Sequence, residues 1–414
     1  MTHTVTDNAP PGRPGWLSKE RLVLYSAALL VFQLVLLGIW AISCWVLHVP
    51  GVPPPGIDFR VFWSASFVSL HGGATAAFDL PQLFAAEATL LPGIPPEQIA
   101  APWVYPPTFQ LLVYPLALLP YAASYALFVC VSLAGALIAC TPVMRNRPLP
   151  WITLLAFPGL WVATAGGQNS LLTLAFAAGA LGLLERRPIV AGICAGMLAI
   201  KPQLAVLFPL LFLCGGHFRA LGAMAATAVL FCTASALAFG LPLWVEFFHS
   251  LSWFSHLVLA NNAGGIWNAM PTLFAISRRL GAGQTVAFAI QAAVAIPAVV
   301  ATSVLWIRRK HADLCSAAAI VATLLTQPYL VYYDLAWLLL AILYLCEHGR
   351  KTGTAGPADY AIMTLAWLVP GLSFLFVFKP SAGQPAAILL PIFLILILYR
   401  ASHRRSDAAR TVLQ

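Results

Sequence analysis

The chain has 414 residues, 61% of them hydrophobic and only 8% Asp, Glu, Lys or Arg, with a mean hydropathy of +0.87. A soluble domain carries about 25% charged residues, so this composition excludes a water-soluble globule. The formal net charge of +9 does not point to nucleic acid, because no basic stripe with interleaved aromatics accompanies it.

Apolar runs of about 20 residues recur along the whole chain. They predict an all-α polytopic membrane protein; a β-barrel would show short alternating strands instead. The first run, 22–47, is too long for a cleaved signal h-region and lacks a small-residue cleavage site, so it reads as a retained span. Further segments are expected at 109–143, 150–165, 170–184, 188–200, 203–214, 220–240, 285–307, 314–331, 335–346, 358–378 and 386–400. That makes about 12 membrane segments (11–13), with "LLPYAAS" as a candidate break in the long second run. Several pieces fall well short of the roughly 20 residues a bilayer requires. The breaks around 165–170 and 200–203 predict short or discontinuous helices, which survive at membrane depth only where they line a cavity or are buried in protein.

Polar tails at 1–20 and 402–414 are expected to be disordered and cytoplasmic. They leave 21–401 as a single domain. Its first external loop, 48–108, carries short interfacial helices, and a second large external loop covers 241–284. With the N-terminus inside, alternation of sides places seventeen of the 22 Lys and Arg on the inner face. The five outer cations are Arg60, Lys201, Arg278, Arg279 and Lys379. Such a bias is what a cytoplasmic positive face requires. The segments richest in polar and aromatic residues then share the outer face: 48–108, "AGGQNS", "IKPQ", 241–284 and "QPYLVYYD". The eight cysteines sit in or beside apolar runs without a CxxC, and read as small packing residues.

Among thirteen acids, Asp7, Glu20, Glu185, Asp313, Glu347, Asp359 and Asp407 read as solvated inner charges. Asp79, Glu87 and Glu97 lie in a stretch with the look of a surface helix, and are expected to face water. Asp58 and Asp334 each abut an apolar span among aromatics, and a costly ionisable group there is a functional candidate. The plainer alternative for Asp58 is a loop-ordering salt bridge with Arg60. Lys201 stands between two apolar half-segments with Pro202 behind it, and needs a partner, water or an anionic ligand such as a lipid phosphate; snorkelling is its plainer alternative. Gln168 and Asn169 follow Gly166 and Gly167, which permit a tight turn and close approach of a ligand. Tyr105 precedes Pro106 and Pro107, a pair that fixes an extended entry into the next span while leaving the phenol free to line a site. Asn261, Asn262, Trp267 and Asn268 combine amides with an indole, a weak signal for a sugar. Phe59, Phe62 and Trp63 are expected to anchor their segment at the membrane interface. No Walker A, GxGxxG, HExxH or sizeable cytosolic domain is present, and no metal-ligand cluster is evident, so neither a cofactor nor a metal is expected.

In the order "DFRVFWSAS", "YPP", "GGQNSLLTLAF", "AGICAGMLAIKPQ" and "PYLVYYDL", the chain resembles the polyprenyl-phosphate-dependent mannosyltransferases of glycosyltransferase family 87, within the GT-C superfamily. The resemblance runs over about 56–345. The last motif departs from better-known members, where a histidine commonly follows a Ser-Trp pair; here Tyr333 and Asp334 stand in that region. The resemblance implies a GT-C-type helix bundle that transfers a sugar, mannose by family default, from a polyprenyl-phosphate donor to a glycolipid or glycan acceptor. It implies Asp58 as the general base for a single inverting displacement. Arg60, Lys201, Gln168, Asn169 and Tyr105 become the donor phosphate or sugar set. Asn261, Asn262, Trp267, Asn268, Tyr333 and Asp334 become the acceptor or sugar set. The compact loops fit a bacterial inner membrane with both termini cytoplasmic and a periplasmic site. The partners are then the two lipid-linked substrates and membrane lipids, with no signal for an oligomeric state. A flippase of lipid-linked saccharide and a non-catalytic envelope subunit are the competing readings. The first would favour internal repeats, which are not found.

Overall fold

The computed structural model describes residues 18–49, 51, 52, 54–91, 101–146, 148–260, 264–309, 311–378 and 383–402. Every regular element among them is helical. Five helices are long and apolar enough to cross a membrane: Lys19–Trp45, Tyr121–Met144, Phe218–Phe239, Gln284–Arg308 and Pro357–Val377. Shorter apolar stretches are Pro107–Leu118, Ser170–Gly182, Pro188–Ile200, Pro202–Cys214, Ala312–Thr326 and Ala386–Ser402. These helices lie where the sequence has its apolar runs. The 109–143 run does break, at Pro120, before the Tyr121–Met144 helix. The tails up to residue 17 and from 403, together with Lys379, Glu97, Asn261 and Asn262, lie outside the described residues.

Ala312–Thr326 shows why the bundle closes. Its residues Leu314 to Leu325 are all buried, so the helix is apolar all round and can only sit at the centre. It packs on Leu338–Thr352, Gln284–Arg308 and Ala386–Ser402. Pro188–Met197 packs on Phe218–Phe239, and Tyr121–Met144 on Ser170–Gly182, through small residues that let the backbones approach. The Lys19–Trp45 helix is different. Its apolar window is only 6% buried, which leaves it mostly facing outward.

Two satellite cores flank this bundle. One gathers Phe59, Phe62, Trp103, Phe109 and Ile200 under the Phe59–Gly72 helix. The other gathers Phe254, Trp267, Met270 and Phe274. Phe59 and Phe62 are therefore protein core, not an interfacial belt, and Trp63 donates its indole N–H to Leu119 O at 3.0 Å. The reason is reciprocal packing: Phe62 meets Trp103, Tyr105 and Phe109 edge-on, which buries more ring surface than a headgroup layer could.

Three acids depart from the solvated expectation. Glu87 is fully buried, because it lies four residues after buried Leu83 on the face of the Leu80–Thr89 helix that packs on Phe59–Gly72. It meets Arg60 at 3.4 Å and accepts the Ala101 N–H at 3.2 Å. Glu347 is buried between Arg350 and Asn146, both within 2.9 Å, and Asp359 is buried against Arg400 and the Gly356 N–H. Each is buried with its own donors, the condition on which a charge tolerates burial.

Candidate active site

Asp58 is presented by a turn that only glycine allows. The Gly56 N–H donates to Ala165 O at 2.9 Å and the Asp58 N–H to Gly166 O at 3.0 Å, clamping the turn onto the end of the Pro158–Gly166 helix. Gly56 (φ +83°) would place a Cβ 2.5 Å from the Tyr125 ring, and Gly167 (φ +66°) one 2.5 Å from Phe59 Cβ. Both positions need the left-handed region and the missing side chain. Tyr121 donates its hydroxyl to Gly56 O at 2.6 Å, and Tyr125 to Thr164 O at 2.7 Å.

Asp58 is the N-cap of the Phe59–Gly72 helix, yet its side chain makes no capping bond. An aspartate at that position ordinarily satisfies the first free N–H groups. Here the half-buried carboxylate accepts instead from Gln168, across the break that follows Gly167. Burial pushes its acidity constant above the usual carboxylate value, while the Gln168 hydrogen bond and the Arg60 and Lys201 charges pull the other way. Removing the amide in Gln168→Ala is expected to raise it further. The acid limb of a kcat/KM profile should then move to higher pH, and an unmoved limb would exclude Asp58 as the titrating group.

The two broken helices meet around Asp58. The Tyr105 hydroxyl reaches Gln168 Oε1 at 3.4 Å. Lys201 Nζ lies 2.6 Å from Asp334 Oδ1, and Ser170 donates to the same oxygen at 2.7 Å. Lys201 also stands over the Tyr333 ring, 5.1 Å from its centroid. Asn169 is fully buried, and neither its amide nitrogen nor its oxygen has a hydrogen-bond partner among the described residues. Unpartnered buried amides are rare and ask for an explanation. Tyr105, Tyr329 and Tyr333 are half-buried, and burial, followed by the surrounding phenols and carboxylates, pushes the Tyr105 and Tyr333 phenols up, so they remain neutral hydroxyls. Each phenol lies close enough to feel both Asp58 and Asp334. The result is a cluster of polar side chains, tyrosine rings among them, set between apolar cores.

The structure thus brings together Asp58, Gln168, Asn169, Lys201, Tyr105, Tyr333 and Asp334. It gives Lys201 and Asp334 to each other, where the sequence suggested separate ligands for them. Arg60 forms its ion pair with Glu87. Trp267 is drawn away from the cluster: its indole N–H donates to Val258 O at 2.8 Å, and Arg278 covers its ring at 4.9 Å. Asn268 is half-buried, and its carbonyl accepts from the Gln384 amide. Glu87, Ser170 and Tyr329 were not singled out by sequence. The i, i+4 spacing of Glu87 from Leu83 is the signal that could have found the first. Among the described residues, no group of three or more His, Cys, Asp or Glu is placed to hold a metal ion.

Glu87 is expected to make this outer region pH-sensitive. Burial, only partly offset by Arg60, pushes its carboxyl up to about 7. The folded state therefore holds the proton more tightly than the unfolded chain, and the stability so gained is lost as pH rises through about 7. In detergent, the melting temperature of Glu87→Gln relative to wild type should rise between pH 5 and pH 8. A pH-independent difference would show that Glu87 stays charged throughout.

The fold is a helical bundle with several helices apolar enough to cross a membrane, and a carboxylate lies on a turn beside two broken helices. The sequence profile of glycosyltransferase family 87 matches residues 103–328, more than half of the chain, and the chain belongs to that family. It is a glycosyltransferase. The match includes Tyr105, Gln168, Asn169, Lys201, Trp267 and Asn268, and stops short of Asp58, Tyr333 and Asp334. No curated protein and no solved structure matches the chain.

Proposed function

We propose that this enzyme moves a sugar, mannose in the first instance, from a polyprenyl-phosphate donor to a hydroxyl of a glycolipid or glycan acceptor. The observation that carries the reading is the Asp58 carboxylate, turned from its capping position toward Gln168 at the meeting of two broken helices. A base so placed takes the proton of the attacking hydroxyl, and a raised acidity constant suits it to that transfer. The attacking oxygen displaces the phosphate from the anomeric carbon in one step, so configuration inverts. Phosphate leaves as a good leaving group and needs little protonation. Lys201 commits one of its three N–H donors to Asp334 and keeps charge near the reacting centre. The unpartnered Asn169 amide supplies a donor and an acceptor for the phosphate or the sugar ring. The tyrosines offer flat, neutral, hydroxyl-bearing walls suited to a saccharide.

On this reading the site faces the periplasm of a bacterial inner membrane, with both termini cytoplasmic and the donor entering from the bilayer. The positive-inside distribution supports that orientation. Family membership favours transfer over flipping. The test is a membrane assay with radiolabelled polyprenyl-phosphate-mannose, polyprenyl-phosphate-glucose and a nucleotide-linked mannose, each with a total lipid extract. Label is expected to move from the polyprenyl-phosphate donor. Transfer from the nucleotide sugar alone would overturn the proposal.

A further inference from the structure

A cavity lies at the other end of the molecule. Asp58 follows the Trp45 end of the first helix, where Trp45 stacks edge-on against Tyr125. The Lys19 end of that 27-residue helix is about 40 Å away, at 1.5 Å per residue. There a cavity of about 560 Å³ opens between the Lys19–Trp45 helix and the bundle. Its volume falls in the roughly 300–1,000 Å³ range that bound small molecules occupy.

The walls are of two kinds. Leu22 and Leu29 face it from the first helix, and Leu345, Met363, Trp367 and Leu368 from the bundle, giving an apolar body. Lys19, Arg350 and Arg400 stand on its lining with Asp359 as the only acid there among the described residues. Two of these cations are held in place. Arg350 makes two bonds of 2.9 Å to Glu347, and Arg400 is forked onto Asp359. A guanidinium has five N–H donors, so each fork leaves three for another acceptor.

This architecture suits neither emptiness nor bulk water. An apolar void of this size forfeits contacts on every wall, and the hydroxyls along the body, Ser26, Thr153 and Thr364, already bond within the protein, leaving few of the two to four partners an ordered water needs. The first helix is clipped to the bundle by the Ser26–Thr153 hydrogen bond at 3.0 Å, yet its window is only 6% buried. An acyl chain suits the apolar gap beside that clip, and an anion suits the N–H donors that the two forks leave at one end.

We infer that this cavity is a binding site for one anionic glycerophospholipid. Its acyl chain lies between the first helix and the bundle, and its phosphate lies among Lys19, Arg350 and Arg400. A zwitterionic lipid would add a cation to a place already rich in them. A free phosphate would leave the apolar body unfilled. The lipid completes the seat of the first helix, whose far end carries the turn that presents Asp58.

The experiment uses the full chain purified in mild detergent. Native mass spectrometry counts retained lipid, and melting is followed after addition of phosphatidylglycerol, phosphatidylcholine or inorganic phosphate. The variants are Leu29→Trp, which fills the body from the sparsely packed helix, and Lys19→Glu, which reverses charge in its exposed first turn. Wild type should retain phosphatidylglycerol and melt several degrees higher with it, but not with phosphatidylcholine or phosphate. Retention should fall at least tenfold in Leu29→Trp and at least fivefold in Lys19→Glu. Equal response to both lipids, an equal response to phosphate alone, or unchanged retention in the variants would overturn the assignment. Should Leu29→Trp fail to fold, Lys19→Glu decides alone.

Discussion

Replacing Asp58 by Asn is expected to lower sugar transfer by about 10²–10⁴-fold, the usual worth of a positioned general base, without lowering abundance or melting temperature. The side chain does not cap its helix, so no helix-stabilising bond is lost. Asn keeps the size of Asp and an oxygen that can accept from Gln168. It also removes a charge whose burial disfavours ionisation, so folding is relieved while the proton acceptor disappears. That combination separates the chemical role from a structural one. A loop-ordering carboxylate would show the reverse, with stability falling and transfer following only in proportion. The pH profile gives a second check. Because the acidity constant is raised, the acid limb of kcat/KM should fall above the ordinary Asp value of about 3.9. Activity should decline as pH drops through it, since only the deprotonated form can accept a proton. Full transfer by an equally abundant Asp58→Asn would remove Asp58 from the reaction and leave the family membership standing.

Much of the fold was legible because lipid imposes a simple rule on sequence. Backbone groups in a bilayer must pair internally, so apolar runs become helices and their interruptions mark either surfaces or buried irregular backbone. The breaks at 165–170 and 200–203 belong to the second kind, and the structure places both beside Asp58. Gly167 was readable as a turn residue. That Gly56 is its counterpart across the clamp was not, because its requirement comes from the Tyr125 ring, 69 positions away in sequence. The burial of the acids was not legible locally, even for Glu347, whose partner Arg350 is three residues away. Glu87, Glu347 and Asp359 look like surface charges until Arg60, Arg350 and Arg400 are seen against them. Asp334 and Lys201 were each flagged as costly, but their pairing joins segments 133 residues apart and is invisible to local pattern. The same limit hid the partners of Trp267. An indole amid asparagines suggests a sugar platform, whereas tertiary packing gives its N–H to Val258 and its face to Arg278.

The Lys201–Asp334 pair carries the second large prediction. Both side chains are almost completely buried and their charged atoms are 2.6 Å apart. Truncating either partner leaves an uncompensated buried charge, which costs about 3–5 kcal/mol. Lys201→Ala and Asp334→Ala should therefore each melt far below wild type, and the two losses should not add. The double replacement Lys201→Met with Asp334→Leu removes both charges while keeping the volume. It should recover most of the stability, since apolar substitutes for a buried pair are often neutral or better. Transfer should not recover with it. Lys201 lowers the acidity constant of Asp58 through space, and it is the cation closest in the fold to the paired breaks that would face a leaving phosphate. Lys201→Ala removes the positive charge alone, so its residual activity should show the acid limb moved to higher pH, whereas the double variant loses one charge of each sign and should keep its limb near that of wild type. Recovery of stability together with wild-type transfer would make the pair a strut. It would then pass the burden of phosphate recognition to Asn169 and Gln168, whose amides lie at the other break, between Pro158–Gly166 and Ser170–Gly182.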